Sequence, residues 1–362
     1  MPLSNINPNQ YHSLLDAKAN RIQEQFAEFS PPKLEIYDSP PLHFRVRAEF
    51  KLWHDQDDSY YAMFNHEQPK QPVRIDEFPI GAKRINQLMK DLLAEIKISE
   101  LLRHKLFQVE FLTTLSGEAL VSLIYHKPLG EDWQQQAKEL QQQFNIRIIG
   151  RSKKQRLVLD KDYVTETLTV ENKQYYYQQI ENSFTQPNAQ VNEKMLSWAL
   201  ENSQGLGGDL VELYCGNGNF TVVLSQNFNQ VLATEISKTS VKSANYNFKL
   251  NNINNIRIAR MSSEEFSSAL AGEREFRRLQ EIPLQDYQFS TVLVDPPRAG
   301  LDPATEALIS RFDNIIYISC NPNTLHHNLK TLCQSHSMKK FAIFDQFPYT
   351  NHIECGVLLQ KR

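Results

Sequence analysis

The sequence predicts an α/β protein in two parts: an α+β domain over residues 1–181, then a doubly wound domain over residues 182–362 that ends in an antiparallel hairpin. Three observations carry this expectation. At 362 residues the chain is long for one domain. Its first half alternates apolar and polar residues along several stretches, as half-solvated antiparallel strands do. After Phe184 the candidate strands become short and wholly apolar and alternate with helices, as in a parallel sheet covered on both faces.

In chain order, residues 9–28 read as a helix closed by Ser30-Pro31-Pro32. Alternation over 43–53 predicts a strand, a turn at Asp55-Gln56-Asp57-Asp58 and a return strand over 60–64. A helix over 81–102 would align Ile85, Leu88, Met89, Leu92 and Ile96 on one face. Residues 106–115 and 118–125 form a hairpin about Ser116-Gly117, followed by a Gln-rich helix over 132–144 and strands at 146–149, 155–159 and 173–180. The second half opens with a helix over 188–201 and strands at 209–213, 231–234, 291–294 and 314–318. The last two strands, 340–344 and 355–359, are joined by too few residues for a crossover helix, so they should be antiparallel to each other.

A composition of 41% hydrophobic and 22% charged residues fits a globular protein with real cores. No apolar run approaches the ~18 residues of a membrane span, and the first residues lack the layout of a secretion signal. The expectation is a cytoplasmic protein with no membrane partner and no obligate protein partner. The cysteines are Cys215, Cys320, Cys333 and Cys355; none precedes Cys215 and no pair has CxxC spacing. That excludes a cysteine-held zinc or iron–sulfur site in the first half. A net charge of −3 points to no partner. Arg147, Arg151, Lys153, Lys154 and Arg156 form a local basic run that reads first as a solvated hairpin tip.

Chemistry concentrates in the second half. The loop Tyr214-Cys215-Gly216-Asn217-Gly218-Asn219-Phe220 follows its first strand, at the carboxyl edge where doubly wound, Rossmann-like sheets bind ligands. Glycines such as Gly216 let backbone approach a ligand closely. Glu235 ends the next strand, placed to hold the two hydroxyls of a ribose. Phe220 and Thr221 stand where dinucleotide enzymes carry a third glycine, so S-adenosylmethionine fits better than a dinucleotide. Asp295-Pro296-Pro297-Arg298 closes the fourth strand beside that loop.

Cys320, in Ser319-Cys320-Asn321-Pro322, ends the neighbouring strand and opens on the same crevice. A lone cysteine is usually inert packing, but a thiol beside a methyl donor has a use. Carbon 5 of uracil is a poor nucleophile; thiolate addition at carbon 6 makes it an enolate, and a base must later remove the carbon-5 proton. Glu354 begins the last strand, and if that strand runs against the others it starts at the edge where Cys320 sits. Cys215 is the second-choice nucleophile; Cys333 and Cys355 read as packing.

These motifs, with Asn182-Ser183-Phe184-Thr185-Gln186-Pro187-Asn188 and Phe347-Pro348-Tyr349-Thr350-Asn351-His352-Ile353-Glu354, resemble those of the RNA uracil-5 methyltransferase family. The resemblance implies S-adenosylmethionine contacts at Gln186, Tyr214, Asn219, Glu235 and Asp295, with Cys320 as nucleophile and Glu354 as proton acceptor, and no metal. Val46–Phe50 and Leu102-Arg103-His104-Lys105-Leu106-Phe107 are most similar to the bacterial members that act on the T loop of tRNA, which implies the tRNA T arm as partner, with T-loop-like RNAs such as tmRNA also open. On that footing Arg47, Lys51, Phe107 and His126 are candidate RNA contacts. Methylation of ribosomal RNA, cytosine-5 methylation, and an RNA-folding role remain rival expectations.

Overall fold

A computed structural model describes residues 5–56, 58–64 and 71–362. The chain begins with α1 (Tyr11–Phe26) and β1 (Glu35–Tyr37). Next come β2 (Arg47–Asp55), β3 (Asp58–Phe64), β4 (Pro72–Ile75), α2 (Lys83–Ile98) and α3 (Glu100–Arg103). They lead to β5 (Leu106–Thr113), β6 (Ala119–Tyr125), α4 (Glu131–Phe144), β7 (Arg147–Ser152) and β8 (Gln155–Val158). A hairpin of β9 (Tyr163–Val170) and β10 (Lys173–Ile180) precedes α5 (Ala189–Asn202). Then follow β11 (Asp209–Leu213), α6 (Asn219–Leu224), β12 (Val231–Thr234), α7 (Lys238–Leu250), β13 (Ile256–Ala259) and α8 (Ser263–Leu270). The chain closes with β14 (Phe289–Val294), α9 (Pro303–Ile309), β15 (Asn314–Ser319), α10 (Pro322–Leu332), β16 (His336–Phe344) and β17 (Glu354–Lys361). The turn expected at 55–58 includes Asp57, which lies outside the described residues. Among the described residues no helix is long and apolar enough to cross a membrane.

These elements form two compact units that interleave along the chain. The first comprises the described residues of 1–8, 40–167 and 178–189; the second comprises 9–39, 168–177 and 190–362. The sequence suggested one junction after residue 181. Instead α1 and β1 belong with the second unit, because β1 pairs in parallel with β16 and the apolar face of α1 is buried there. Ile22 and Phe26 are fully buried, in one core with Phe341, Ile343 and Val357.

The first unit is built on a seven-stranded sheet in the order β4-β3-β2-β5-β6-β7-β8. The five apolar residues expected on one face of α2 are all buried. All pairings are antiparallel except β6 with β7, where α4 supplies the crossover that a parallel connection requires. The basic run lies on the β7–β8 hairpin, and its arginines are consumed locally. Arg147 pairs with Glu118 at 2.5 Å, Arg151 with Glu181 at 2.5 Å, and Arg156 with Glu181 and Asp162 at 3.0 and 2.9 Å. Lys153 and Lys154 stand exposed at the tip.

The second unit carries an eight-stranded sheet in the order β1-β16-β17-β15-β14-β11-β12-β13. From β11 the order runs outward both ways, to β12–β13 and to β14–β15, so the loop after β11 lies at the switch point where doubly wound sheets bind ligands. β17 lies between β15 and β16 and runs antiparallel to both.

Gly150 on β7 has no room for a side chain: a Cβ there would sit 2.3 Å from the Trp133 ring and 2.6 Å from Leu129. Gly150→Ala is therefore expected to cost about 1–3 kcal/mol by overpacking. Urea unfolding followed by tryptophan fluorescence should show a lowered midpoint; an unchanged midpoint would contradict this packing.

Candidate active site

Three strand ends meet at one edge of the second unit's sheet. β15 and β17 pair with Ile318 opposite Gly356 and Ser319 opposite Cys355. One step further along this ladder, Cys320 leaves β15 where Glu354 enters β17. On its other side Glu354 pairs with Phe344. β14 lies against β15 with Val294 opposite Tyr317, which brings the following residue, Asp295, to the same edge. Cys320, Glu354 and Asp295 are thus brought together.

Their electrostatics are coupled. Cys320 is half-buried, and burial pushes its thiol up to about 11, with the carboxylates of Glu354 and Asp295 adding and Arg298 opposing. Burial raises Glu354 to about 8, with Asp295 adding. Asp295 itself is held up at about 7 by its desolvated surroundings, although the residue is not fully enclosed. A third carboxylate belongs to this group and was not singled out in the sequence. Glu212 on β11 is 1% exposed, and burial with Asp295 raises it to about 8. Its Oε2 has no hydrogen-bond partner. The available signal was a carboxylate inside the otherwise apolar stretch Leu210–Leu213.

The turn carrying Cys320 is fixed by its neighbours. Asn321 Nδ2 donates to the Arg298 carbonyl at 3.0 Å, and Asn321 Oδ1 accepts from the Asn323 N–H at 3.1 Å, capping α10. Behind it, buried Asn328 accepts from the Leu301 N–H at 3.1 Å and from the Tyr317 hydroxyl at 2.8 Å, and donates to the Leu301 carbonyl at 3.2 Å. The Asp295–Leu301 loop is therefore tied to both β15 and α10.

Beside this edge is a cavity of about 500 Å³ whose lining includes Tyr214, Glu235, Ile236, Met261, Ser263 and Asp302. The Glu235 carboxylate accepts from the Gly216 N–H at 3.0 Å and from the Ser237 N–H at 2.7 Å, so it holds the glycine loop in place. Tyr214 takes a positive φ of 62° and its hydroxyl meets Ser263 at 2.7 Å. At Gly218, with φ 83°, a Cβ would lie 2.8 Å from Phe248. Gly216 also has positive φ, but open space lies where its Cβ would be. Tyr214 and Glu235 thus line one recess, with Gly216 bonded to Glu235.

Asn219 opens α6, and its amide is committed to a reciprocal pair with Asn192 at 3.0 and 2.9 Å. Gln186 is half-buried in the connection between β10 and α5, within the first unit. Cys215 is buried with its thiol raised. Cys355 belongs to the apolar core and Cys333 ends α10.

In the first unit, Lys51, Phe107 and His126 form one surface cluster. The Phe107 and His126 rings stack at 3.8 Å with 9° between planes, and Lys51 Nζ lies 5.2 Å from the Phe107 centroid while bonded to Gln108. Arg47 lies on the same strand face, but its guanidinium donates to the Ser183 carbonyl at 2.6 Å.

The family model described as tRNA (Uracil-5-)-methyltransferase matches residues 10–362. A protein of Cellvibrio japonicus named tRNA/tmRNA (uracil-C(5))-methyltransferase is 59% identical over 97% of this chain and 96% of its own. Proteins of the same name from Saccharophagus degradans and Acinetobacter baumannii are 59% and 56% identical, with 98% or more of each chain covered. The crystal structure of Pyrococcus abyssi tRNA (uracil-54, C5)-methyltransferase in complex with S-adenosyl-L-homocysteine superposes with a TM-score of 0.71 at 22% identity, over 96% of this chain and 83% of that one, which shows a shared fold. On the full-length family match and these identities, the chain belongs to the tRNA (uracil-5-)-methyltransferase family.

Proposed function

We propose that the chain transfers a methyl group from S-adenosylmethionine to carbon 5 of the T-loop uridine of tRNA, position 54, with Cys320 as nucleophile and Glu354 as the base that completes the reaction. Its relatives' names couple tRNA with tmRNA, and a T-loop-like arm of tmRNA is the second substrate proposed. The observation that carries this reading is the strand register that sets Cys320 and Glu354 at one edge of the sheet, with Asp295 between them and the cofactor recess.

The recess fits the cofactor by volume, and buried acids stand at the adjoining edge of the sheet. Its roughly 500 Å³ lies within the range of small-molecule sites. Glu212 carries an unpartnered buried oxygen, and Asp295 and Glu354 are held above their ordinary values. Buried acids in that condition suit a cationic ligand. Tyr214, Gly216, Glu235 and Asp295 would hold the group, with Asn219 as a further contact. When bound, S-adenosylmethionine supplies the electrophilic methyl.

The protein's own steps follow from the side chains. A duplex or folded loop hides the ring, so the target base must be extruded into the crevice. The Cys320 thiol must then give its proton to a neighbouring carboxylate, Asp295; Arg298 favours the thiolate, and a carboxylate beside it stops opposing it once protonated. The sulfur bonds to carbon 6, and the electron pair of the 5,6 double bond moves toward oxygen 4. Carbon 5 then takes the methyl. Glu354, with a basicity near 8, is suited to accept the carbon-5 proton near neutral pH. The released pair reforms the double bond and expels the Cys320 thiolate. Lys51, Phe107 and His126 offer a cation and stacked rings, the means by which proteins hold unstacked RNA bases.

Cys320→Ala should abolish both tritium release from RNA labelled at uracil carbon 5 and formation of 5-methyluridine; retained turnover would remove the covalent mechanism. Glu354→Gln should leave a denaturation-resistant protein–RNA adduct, and only free RNA in that assay would exclude Glu354 as the base. Phe107→Ala is expected to raise KM for tRNA about tenfold with little change in kcat, from loss of a stacking contact; an unchanged KM would exclude Phe107 from the interface. The folded Glu354 carboxyl titrates near 8 against an ordinary 4.5, so its stabilising contribution is complete below pH 4.5 and is lost as pH rises through 8. Glu354→Gln should therefore gain melting temperature relative to the parent as pH goes from 5 to 8.5; a constant difference would contradict the buried, protonated state.

A further inference from the structure

Lys18 on α1 is 6% exposed, a burial at which an ammonium is tolerated only with its protons bonded. Its Nζ donates to Asp345 Oδ1 at 2.6 Å, to the Phe347 carbonyl at 3.0 Å and to the His352 carbonyl at 3.1 Å. Asp345, 1% exposed, comes directly after β16, and Tyr11 on the same helix also bonds to it. Phe347 and His352 are the two feet of the loop joining β16 to β17. One nitrogen therefore draws both feet together and anchors them to a buried carboxylate. Arg21, one turn along α1, adds a bond from Nη2 to the Asn351 carbonyl at 2.8 Å. The loop ends at Ile353, and the next residue is Glu354.

We propose that Lys18 is a positioning residue for the elimination step. By closing the 347–352 loop onto α1 it fixes where β17 begins, and so where the Glu354 carboxylate stands relative to Cys320. The inference rests on the reading of Glu354 as the base. Lys18 touches none of the reacting groups. Cys320 leaves from β15 on the far side of β17, held by its own turn and the α10 cap. Loss of Lys18 therefore impairs the later step selectively: addition of sulfur proceeds, while proton removal slows because a displacement near 1 Å at a reacting group costs up to ~100-fold.

The test is a single-turnover comparison of the parent, Lys18→Met and Glu354→Gln with a T-arm RNA tritiated at uracil carbon 5, following adduct formation and tritium release separately. Lys18→Met is expected to form the adduct at close to the parent rate, with KM for RNA within about threefold, and to resolve it at least about tenfold more slowly. Lys18→Met/Asp345→Asn, which leaves no unpaired buried charge, should behave likewise and carries the test if the single variant does not fold. Resolution within twofold of the parent would overturn the proposal. So would equal losses in formation and resolution that track the folded fraction. If Lys18→Met accumulates adduct while Glu354→Gln does not, the loop positions some other base, and it is the reading of Glu354 that fails.

Discussion

β17 runs against both of its neighbours, and the site depends on that reversal. A parallel strand in the same slot would begin at the opposite edge of the sheet, and its first residue would lie a strand's length from Cys320. Entering antiparallel, β17 sets Cys355 opposite Ser319, which leaves Glu354 at the edge where β15 and β14 deliver Cys320 and Asp295. The register is fixed by two ladders of backbone hydrogen bonds, one to each neighbour, while the Lys18 side chain holds the loop that leads into Glu354. A one-residue slip would turn Glu354 to the other face of the sheet.

The electrostatic state follows from the same packing. Glu212, Asp295 and Glu354 are gathered where water solvates them poorly, and Asp295 raises each of the other two. In this state Cys320 is a protected thiol, raised to about 11 by burial and by Glu354 and Asp295. Such a cluster holds protons near neutrality and releases them when positive charge arrives, so in the proposed mechanism Cys320 and Glu354 become reactive only in a loaded site. That suits a chemistry in which a free thiolate would be open to oxidation.

Much of this was legible in the chain because its signals are local. A glycine loop after an apolar strand, an acid at the next strand end, Asp-Pro-Pro-Arg and a cysteine before Asn-Pro each report the geometry of a few consecutive residues, as does the apolar face of α2. Illegible features arise from pairings distant in sequence. β1 is three residues long and pairs with β16 near the other end of the chain, so nothing near residue 36 reveals that α1 belongs with the second unit. The basic run at Arg147–Arg156 gave no sign that Glu118, Asp162 and Glu181 would consume its arginines. Glu212 was passed over because a single acid in a short strand has no pattern. The role of Lys18 was hidden for the same reason: its partners are Asp345, Phe347 and His352.

The central claim is that the Cys320 sulfur attacks the pyrimidine ring and that resolution then requires a proton to leave carbon 5. An RNA T arm carrying 5-fluorouridine at the target position tests it most directly, because fluorine cannot be removed as a proton and the attacked state is trapped. Mass spectrometry of the digested complex should find the methylated fluoropyrimidine on the peptide containing Cys320. No adduct, or one on the peptide containing Cys215, would contradict the account.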